Sequence, residues 1–303
     1  MQTNRPHPLQ IWLLSARPKT LWAGVAPVLM GTGLAIGAES AHLGAALAAL
    51  CGALLIQIGT NYCNDYADFK KGADTADRIG PVRATQAGWV TPQQMAWAAG
   101  IAFGLAVLAA SYLVYRGGWP IVMIMIVSIL AGILYTAGPY ALAYLGLGDI
   151  FVLVFFGPVA VAGTFYAQAG QWPLTIWLMG LAPGLISCAI LAVNNLRDVE
   201  QDRQANKRTV AVRFGPAFAR TEYVLCMGAG ITIVPLLNFF FWSETPGSLI
   251  PLLALISAYK PVVTVLRGTQ GIALNPVLGQ TARVLLIFAL LFTFSELFVR
   301  ILS

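Results

Sequence analysis

The stretch LGAALAALCGALLIQIGTNYCNDYAD, residues 43–68, decides the fold of this chain. Its first 22 residues carry no charge, and its last four residues include Asp65 and Asp68. A helix that spans a bilayer needs about 20 predominantly apolar residues. The stretch therefore predicts a membrane-spanning helix that ends in two carboxylates.

The composition of the whole chain also indicates a membrane protein. Of its 303 residues, 58% are hydrophobic and 10% are charged, whereas soluble domains contain about 25% charged residues. Helices satisfy their backbone polar groups internally, as a lipid environment requires. We therefore predict an all-α polytopic membrane protein in which residues 1–303 form a single domain, and we exclude a soluble globular protein.

The same length criterion predicts nine membrane spans. They lie at about residues 20–37, 43–64, 93–115, 119–137, 146–168, 174–195, 219–242, 247–266 and 282–302. The second and sixth spans are each followed by a loop with an acidic motif, at about 61–92 and 194–218. Because both spans are even-numbered, the two acidic clusters are predicted to face the same compartment and to meet over one central cavity.

Basic residues lie mostly on one side of the predicted spans. Of the 18 Lys and Arg residues, 16 lie before the first span or in three connections on the same side, and Arg116 and Arg300 lie opposite. Loops rich in Lys and Arg remain cytoplasmic. This pattern places both acidic clusters at the cytoplasmic side of the cell (inner) membrane. The net charge of +6 indicates contact with anionic membrane lipid rather than with nucleic acid.

Seven of the twelve acidic residues belong to the two clusters. Asp65 and Asp68 are three residues apart, and Asp198 and Asp202 are four residues apart. Both spacings place the two side chains on one face of a helix. Carboxylates beside hydrocarbon are costly, so paired acids at the ends of two spans indicate a function rather than a solvated loop.

Two opposed acidic faces predict a site for a divalent metal ion. Mg²⁺ takes one or two carboxylates and completes its shell with water and substrate phosphates. A bound cation also reverses the repulsion between carboxylates and an anionic substrate. We therefore predict that Asp65, Asp68, Asp198 and Asp202 are catalytic residues that hold Mg²⁺ against a diphosphate.

Six basic residues near the clusters are candidates for binding the diphosphate, since Arg and Lys pair with phosphate oxygens. They are Arg17, Lys19, Arg83, Arg197, Lys207 and Arg208. Membrane orientation alone explains their positions equally well. Asp149 stands apart at the entry to the fifth span, where an aspartate suits a helix N-cap, a proton acceptor or a contact to substrate.

Several motifs make the chain similar to one family. They are Ala16-Arg17-Pro18-Lys19-Thr20-Leu21, Asn64-Asp65-Tyr66-Ala67-Asp68, Gly72-Ala73-Asp74, Asp77-Arg78-Ile79-Gly80-Pro81 with Arg83, Tyr135-Thr136-Ala137-Gly138-Pro139, Gly146-Leu147-Gly148-Asp149, Asn194-Asn195-Leu196-Arg197-Asp198 with Asp202, and Lys207-Arg208-Thr209-Val210-Ala211-Val212-Arg213. With these motifs the chain resembles the UbiA-type intramembrane prenyltransferases. Within them it resembles the 1,4-dihydroxy-2-naphthoate prenyltransferases of menaquinone synthesis.

The resemblance has consequences for the fold and for the site. It implies nine helices around a laterally open cavity, and Mg²⁺ held by the four aspartates named above. It implies that Asn61 or Asn64, together with Asn194, provides polar contacts that support the metal site. These asparagines are therefore expected to bind substrate. The family pattern expects a further acid at the position of Gly72, and the resemblance implies that this acid is displaced to Asp74.

The reaction implied by the resemblance joins an isoprenyl chain to an aromatic acceptor. A polyprenyl group would pass from polyprenyl diphosphate to 1,4-dihydroxy-2-naphthoate with loss of CO₂ and diphosphate, giving demethylmenaquinol. One alternative is a prenyltransferase with another acceptor, such as 4-hydroxybenzoate, haem, chlorophyllide or glycerophosphate. A second is a transporter, although transporter sites usually lie near the bilayer midplane and these acids follow the ends of spans among Lys and Arg.

Overall fold

The computed structural model describes residues 5–73, 79–243 and 245–302, which fold into helices and connecting turns. The α-helices are α1 (Pro8–Ala16), α2 (Pro18–Gly37), α3 (Leu43–Lys70), α4 (Pro92–Gly117), α5 (Trp119–Leu134), α6 (Gly148–Phe155), α7 (Pro158–Ala169), α8 (Leu174–Met179), α9 (Leu181–Gln204), α10 (Val210–Asn238), α11 (Ala254–Leu266) and α12 (Asn275–Leu302). Short π-helical or 3₁₀ segments lie at Phe239–Ser243, Pro246–Leu253 and Gly271–Leu274. The predicted all-α class is confirmed.

Eight helical segments of the described residues are long and apolar enough to cross a membrane. They correspond to eight of the nine predicted spans. The remaining predicted span, at about 119–137, is α5, which has 16 residues. That length falls short of the roughly 20 residues that a crossing takes. The chain is therefore a multi-pass membrane protein with eight long spans and one shorter apolar helix in its described part.

Two predicted spans are broken, and the breaks lie against each other. The fifth span divides into α6 and α7 at Gly157, because Pro158 restricts the preceding residue and has no N–H to donate. The sixth span divides into α8 and α9 at Gly180. A Cβ atom on Gly184 would lie 2.5 Å from the carbonyl oxygen of Leu153. Helices α6 and α9 therefore touch through their backbones, which small residues allow.

Helix α9 occupies the buried centre of the bundle. More than half of its side chains are buried, and it packs against α6, α10 and α12. The fully buried side chains of Tyr223, Phe288 and Phe292 belong to the same apolar core. The second acidic cluster is therefore carried by the most enclosed helix of the protein's described part.

Both acidic pairs lie in the last turns of helices rather than in loops. Asp65 and Asp68 belong to α3, and Asp198 and Asp202 belong to α9. Each helix continues into a segment that we predicted to be a loop. All four side chains are buried, with Asp202 the most exposed at 9%. The helices thus hold the carboxylates rigidly at one end of the bundle.

The contact at Gly184 predicts that Gly184→Ala destabilises the protein by about 1–3 kcal/mol, the usual cost of forcing extra volume into a packed contact. The matched control is Gly104→Ala, because Gly104 is a glycine of α4 with open space around it. Alanine is the better helix former by about 1 kcal/mol, so this control should match or exceed wild-type stability. Thermal unfolding in detergent measures both variants, and equal midpoints would contradict the close contact.

Candidate active site

Two adjoining cavities lie at the end of the bundle that carries the acids. The polar cavity has a volume of about 100 Å³, and the apolar cavity has a volume of about 340 Å³. Polar and charged residues that border the polar cavity are Arg17, Asn64, Asp68, Arg83, Tyr135, Thr136, Asn194, Asn195, Asp198, Gln201, Asp202, Lys207 and Thr209. The apolar cavity extends between α2, α3, α5, α6 and α7. Three aspartates from two distant parts of the chain, the ends of α3 and α9, therefore border one polar cavity.

Asp68 is the charged centre of the polar cavity. Its Oδ2 atom accepts a hydrogen bond from the Arg83 guanidinium at 3.1 Å. Its Oδ1 atom accepts one from the Tyr144 hydroxyl at 2.9 Å and lies 3.2 Å from Lys207 Nζ. A buried charge is costly unless it is paired and hydrogen-bonded. Two cations from separate segments of the chain compensate for this buried carboxylate.

Lys71, Tyr144 and Lys207 form a cation–aromatic stack beside Asp68. The Tyr144 ring centre lies 4.2 Å from Lys71 Nζ and 5.0 Å from Lys207 Nζ. Lys71 Nζ also donates to two carbonyl groups of the α5–α6 connection, at 2.7 and 3.0 Å. Burial lowers the pKa of Lys71, an effect that Asp68 opposes and Lys207 reinforces. Nothing in the sequence marks Lys71 and Tyr144 as site residues, because a lysine in a cytoplasmic loop and a tyrosine near the end of a span are both common in membrane proteins.

Arg197 binds the second acidic cluster from within α9. Its guanidinium donates to both carboxylate oxygens of Asp198, at 2.6 and 2.7 Å. It also donates to the side-chain oxygens of Asn194 at 2.9 Å and Asn275 at 3.0 Å. Arg197 is one of the predicted diphosphate contacts, yet these four hydrogen bonds go to side chains of the protein. The arginine therefore orients Asp198 and joins the end of α9 to the start of α12.

Asp65 does not share the polar cavity with the other three aspartates. Its carboxylate accepts hydrogen bonds from the backbone N–H groups of Ala84 at 3.1 Å and Thr85 at 3.3 Å, and from the Thr85 hydroxyl. A carboxylate that accepts successive backbone N–H groups stabilises a turn. Asp65 thereby holds the turn that presents Arg83 to Asp68. Asp65 is not among the residues that border the polar cavity with Asp68, and its predicted role as a metal ligand stays a prediction.

The predicted asparagines lie around the junction of the two cavities. Asn61 Nδ2 donates to the carbonyl oxygen of Ala16 at 2.9 Å, which ties α3 to the link between α1 and α2. Asn64 Oδ1 accepts from the Thr136 hydroxyl at 2.6 Å. Asn64 and Asn194 border both cavities. These residues therefore connect the acidic helices to the entrance of the apolar cavity.

The remaining predicted basic and acidic residues differ in their placement. Arg17 and Lys207 border the polar cavity. Lys19 and Arg208 are exposed, and neither belongs to the lining of the two cavities in the described residues. Asp74 lies outside the described residues. Of the predicted cations, the structure thus brings Arg17, Arg83 and Lys207 to the site.

Asp149 lies behind the junction rather than at a helix cap. The N-cap position of α6 is occupied by Leu147, so the capping interpretation of Asp149 is wrong. The Asp149 carboxyl lies close enough to the carboxyl of Glu222 on α10 for the two to interact, and among the described residues Asp149 Oδ1 and Glu222 Oε2 are buried without a hydrogen-bond partner. Its backbone carbonyl accepts a weak hydrogen bond from the Cys188 thiol at 3.3 Å. Asp149 therefore belongs to a buried acid pair between α6 and α10.

The donor set of the polar cavity fits Mg²⁺, which prefers hard oxygen ligands. Asp68, Asp198 and Asp202 supply carboxylate oxygens there, and Asn194 supplies an amide oxygen. Among residues 5–73, 79–243 and 245–302, no three His, Cys, Asp or Glu side chains are close enough to hold one ion. The arrangement therefore suits a metal that takes part of its coordination shell from substrate phosphates and water.

Comparison with known proteins identifies the family of this chain. The family described as UbiA prenyltransferase family matches residues 24–271. Two curated proteins named 1,4-dihydroxy-2-naphthoate octaprenyltransferase are each 38% identical to this chain. The protein from Mycobacterium tuberculosis aligns over 92% of this chain and 94% of its own length. The protein from Escherichia coli aligns over 93% of this chain and 94% of its own length.

Solved structures share the fold. A UbiA homolog from Archaeoglobus fulgidus bound to GPP and Mg²⁺ superposes with a TM-score of 0.67, covering 95% of this chain and 99% of that chain at 18% identity. The same homolog bound to DMAPP and Mg²⁺ gives a TM-score of 0.66, covering 94% of this chain and 98% of that chain at 17% identity. At these identities the likeness concerns the arrangement of helices.

The turn held by Asp65 predicts that Asp65→Asn lowers the free energy of unfolding by about 1–3 kcal/mol, because buried N–H donors lose a charged acceptor. Thr85→Val removes one of the three hydrogen bonds and should cost about 1 kcal/mol. Glu200→Gln is the control, since Glu200 forms an exposed ion pair with Arg203. Denaturant unfolding in detergent measures the three variants, and wild-type stability of Asp65→Asn would show that the carboxylate does not hold the turn.

Proposed function

This chain belongs to the UbiA prenyltransferase family, and on that basis we propose that it transfers a polyprenyl group to 1,4-dihydroxy-2-naphthoate. The donor is polyprenyl diphosphate, and the transfer releases CO₂ and diphosphate to give demethylmenaquinol. The single observation that carries the proposal is the junction of a polar cavity rich in carboxylates and cations with a larger apolar cavity. The relatives at 38% identity support this acceptor.

The two cavities suit the two parts of the donor. The diphosphate fits the polar cavity, where Arg83 and Lys207 lie beside Asp68. The isoprenyl chain fits the apolar cavity, whose walls include Phe151 and Phe155. The apolar walls match the membrane interior, so the chain can pass from lipid into the cavity without exposure to water. The same walls keep water away from a reactive allylic centre.

Asp68, Asp198 and Asp202 are the candidate ligands for Mg²⁺ in the polar cavity, and an ion there would take one or two of them and complete its coordination shell with substrate phosphates and water. When bound, the ion supplies Lewis-acid stabilisation of the departing diphosphate. Asp65 contributes indirectly, because it holds the turn that carries Arg83. We thus divide the predicted catalytic aspartates into three candidate ligands and one positioning residue.

Arg83 and Lys207 have two roles in this proposal. Without substrate they compensate for the buried Asp68 carboxylate. With diphosphate in the cavity they lie where phosphate oxygens need partners, and Arg is suited to bidentate contacts with phosphate. Tyr144 keeps Lys207 in reach, since the ammonium lies 5.0 Å from its ring centre. The Arg83 and Lys207 side chains can therefore exchange the Asp68 carboxylate for the substrate diphosphate while they remain in the polar cavity.

We place this site at the cytoplasmic face of the inner membrane. The basic residues of the chain support that orientation through the positive-inside rule. The exposed surface of α4, which includes Trp97, Ile101 and Leu108, suits contact with membrane lipid. A prenyl chain can then enter from the hydrocarbon, while diphosphate leaves toward water.

Asp68→Asn and Asp202→Asn should each lower turnover by about 100-fold or more, the scale on which loss of one charge-stabilising group acts. Mn²⁺ binding followed by electron paramagnetic resonance in detergent should weaken in both variants. Glu200→Gln is the matched control, since that acid is exposed, and it should retain turnover within about twofold. Unchanged Mn²⁺ affinity in Asp68→Asn would refute its assignment as a ligand.

Product analysis tests the acceptor. Purified protein is offered 1,4-dihydroxy-2-naphthoate and 4-hydroxybenzoate in competition, with one polyprenyl diphosphate and Mg²⁺, and mass spectrometry identifies the products. We expect the prenylated, decarboxylated naphthalenediol, and EDTA should abolish it until Mg²⁺ is restored. A prenylated benzoate as the main product would assign another acceptor. Absence of any prenyl product under these conditions would contradict the proposed enzyme.

A further inference from the structure

A few polar side chains interrupt the wall of the apolar cavity. They include Gln57 and Thr60 of α3, Ser128 of α5 and Ser187 of α9. Ligand pockets commonly combine apolar walls with a small number of polar groups that fix the orientation of the ligand. An isoprenyl chain has no hydrogen-bonding atoms, so these side chains have no partner on the chain of the donor.

Gln57 is the longest of these polar side chains, and it lies within the apolar run of α3. Among the described residues its amide takes part in no hydrogen bond. Gln168 of α7 behaves differently, because its amide donates to the Thr32 hydroxyl and accepts from the His42 N–H, both at 3.2 Å. A polar side chain inside a span is costly, and such residues usually serve a function.

Ser187 borders the same cavity from α9. Its hydroxyl is buried and has no hydrogen-bond partner in the described part of the chain. Serine and threonine hydroxyls inside helices often donate to a carbonyl group about one turn earlier. Ser111, Thr221 and Thr232 do so in this protein, at 2.6, 3.2 and 2.8 Å. Ser187 does not, so its hydroxyl keeps its hydrogen-bonding capacity for a ligand.

Gln57 and Ser187 lie at similar depths in the apolar cavity. Asn64 and Asn194 border both cavities and so mark the junction between them. Gln57 precedes Asn64 by seven residues, and Ser187 precedes Asn194 by seven residues. Seven residues make about two helical turns, which keeps each pair on one helix face and separates its members by about 10 Å along the axis. Both polar side chains therefore belong to the part of the apolar cavity next to the junction.

The bond that forms in the proposed reaction orients the acceptor at this junction. The allylic C–O bond breaks, and its electron pair leaves with diphosphate. The acceptor carbon that carries the carboxylate supplies the pair for the new C–C bond, and the bond to the carboxylate returns a pair to the ring as CO₂ leaves. That carbon must meet the donor at the junction. Since the diphosphate fills the polar cavity, the rest of the acceptor extends into the apolar cavity.

The two hydroxyl groups of a 1,4-dihydroxy-2-naphthoate have different needs in this orientation. The hydroxyl at position 1 is adjacent to the carboxylate and can donate to it. The hydroxyl at position 4 has no partner within the molecule and lies on the side of the ring away from the carboxylate. It therefore requires a partner from the cavity wall. An amide both donates and accepts hydrogen bonds, which suits a neutral hydroxyl.

From this placement we propose that Gln57 is a specificity-determining residue that binds the position-4 hydroxyl of the acceptor, with Ser187 as the second polar group of the same subsite. The inference rests on the proposed prenyl transfer and adds which feature of the acceptor the cavity recognises. A site built to hydrogen-bond a hydroxyl rejects an analogue that lacks it, because the polar groups of the site are then left unpaired. Gln57 thus selects dihydroxylated acceptors over monohydroxylated ones.

A comparison of two acceptors in wild type and variants tests this contact. 1-Hydroxy-2-naphthoate lacks only the position-4 hydroxyl, which is meta to the reacting carbon and so adds little to its nucleophilicity. In wild type, kcat/KM should be about 10-fold higher for the dihydroxy acceptor, the factor that one hydrogen bond can supply. Gln57→Met keeps the length of the side chain without its amide, and the ratio should fall to within about twofold. Gln57→Leu, with a residue type that is common in spans, should give the same fall.

The KM for polyprenyl diphosphate and the thermal midpoint should change little in both variants. Gln93→Met is the matched control, since Gln93 is an exposed glutamine of α4 that belongs to neither cavity lining in the described residues. This control should keep the wild-type ratio between the two acceptors.

The ratio separates recognition from packing. A packing defect would lower kcat/KM for both acceptors by the same factor, so a wild-type ratio in the Gln57 variants would overturn the inference. Equal use of the two acceptors by wild type would also overturn it, whatever the variants do. Either result leaves the proposed function intact, because prenyl product still forms. Wild-type protein that forms no prenyl product from the dihydroxy acceptor would overturn the proposed function and this inference together.

Discussion

The buried charge of Asp68 is the constraint on which the site depends. A carboxylate with 2% exposure at the edge of a membrane requires partners. Arg83 and Lys207 provide them from two separate segments, both of which follow Asp68 in the sequence. The ion pairs therefore join the end of α3, the turn after it and the segment after α9 into one structure. Removal of one partner would leave an uncompensated charge, which is far more costly than loss of an exposed pair.

The architecture serves to keep this charged site rigid. Helix α9 carries two aspartates and runs through the apolar core, where it cannot shift without disturbing many contacts. Glycines at the breaks of the fifth and sixth spans let α6 approach α9 through backbone contacts. Asp65 adds a further restraint by holding the turn that carries Arg83. The side chains that border the polar cavity are thus supported by a second layer of hydrogen bonds.

The proposed function depends on the contact between a polar cavity and an apolar cavity. A polar cavity can neutralise a diphosphate and an apolar cavity can hold an isoprenyl chain, so in the proposed reaction the bond that breaks lies at the boundary between the two cavities. Preorganised charges stabilise the leaving group without reorganisation during the reaction. Five residues border both cavities, so this boundary is narrow. Tyr135, the first residue of the motif Tyr135-Thr136-Ala137-Gly138-Pro139, is one of these five.

The sequence by itself determined the membrane class, the places of the spans and the grouping of acids at the ends of α3 and α9. These properties depend on apolar run length and on helical spacing, which are local and can be counted along the chain. Only the tertiary structure decided that Asp68 faces the cavity while Asp65, three residues away, holds a turn. It also decided the places of Lys71, Tyr144 and Tyr135. The physical reason is that spacing fixes where a side chain lies around its own helix, whereas its partners come from segments that folding brings together from elsewhere in the chain.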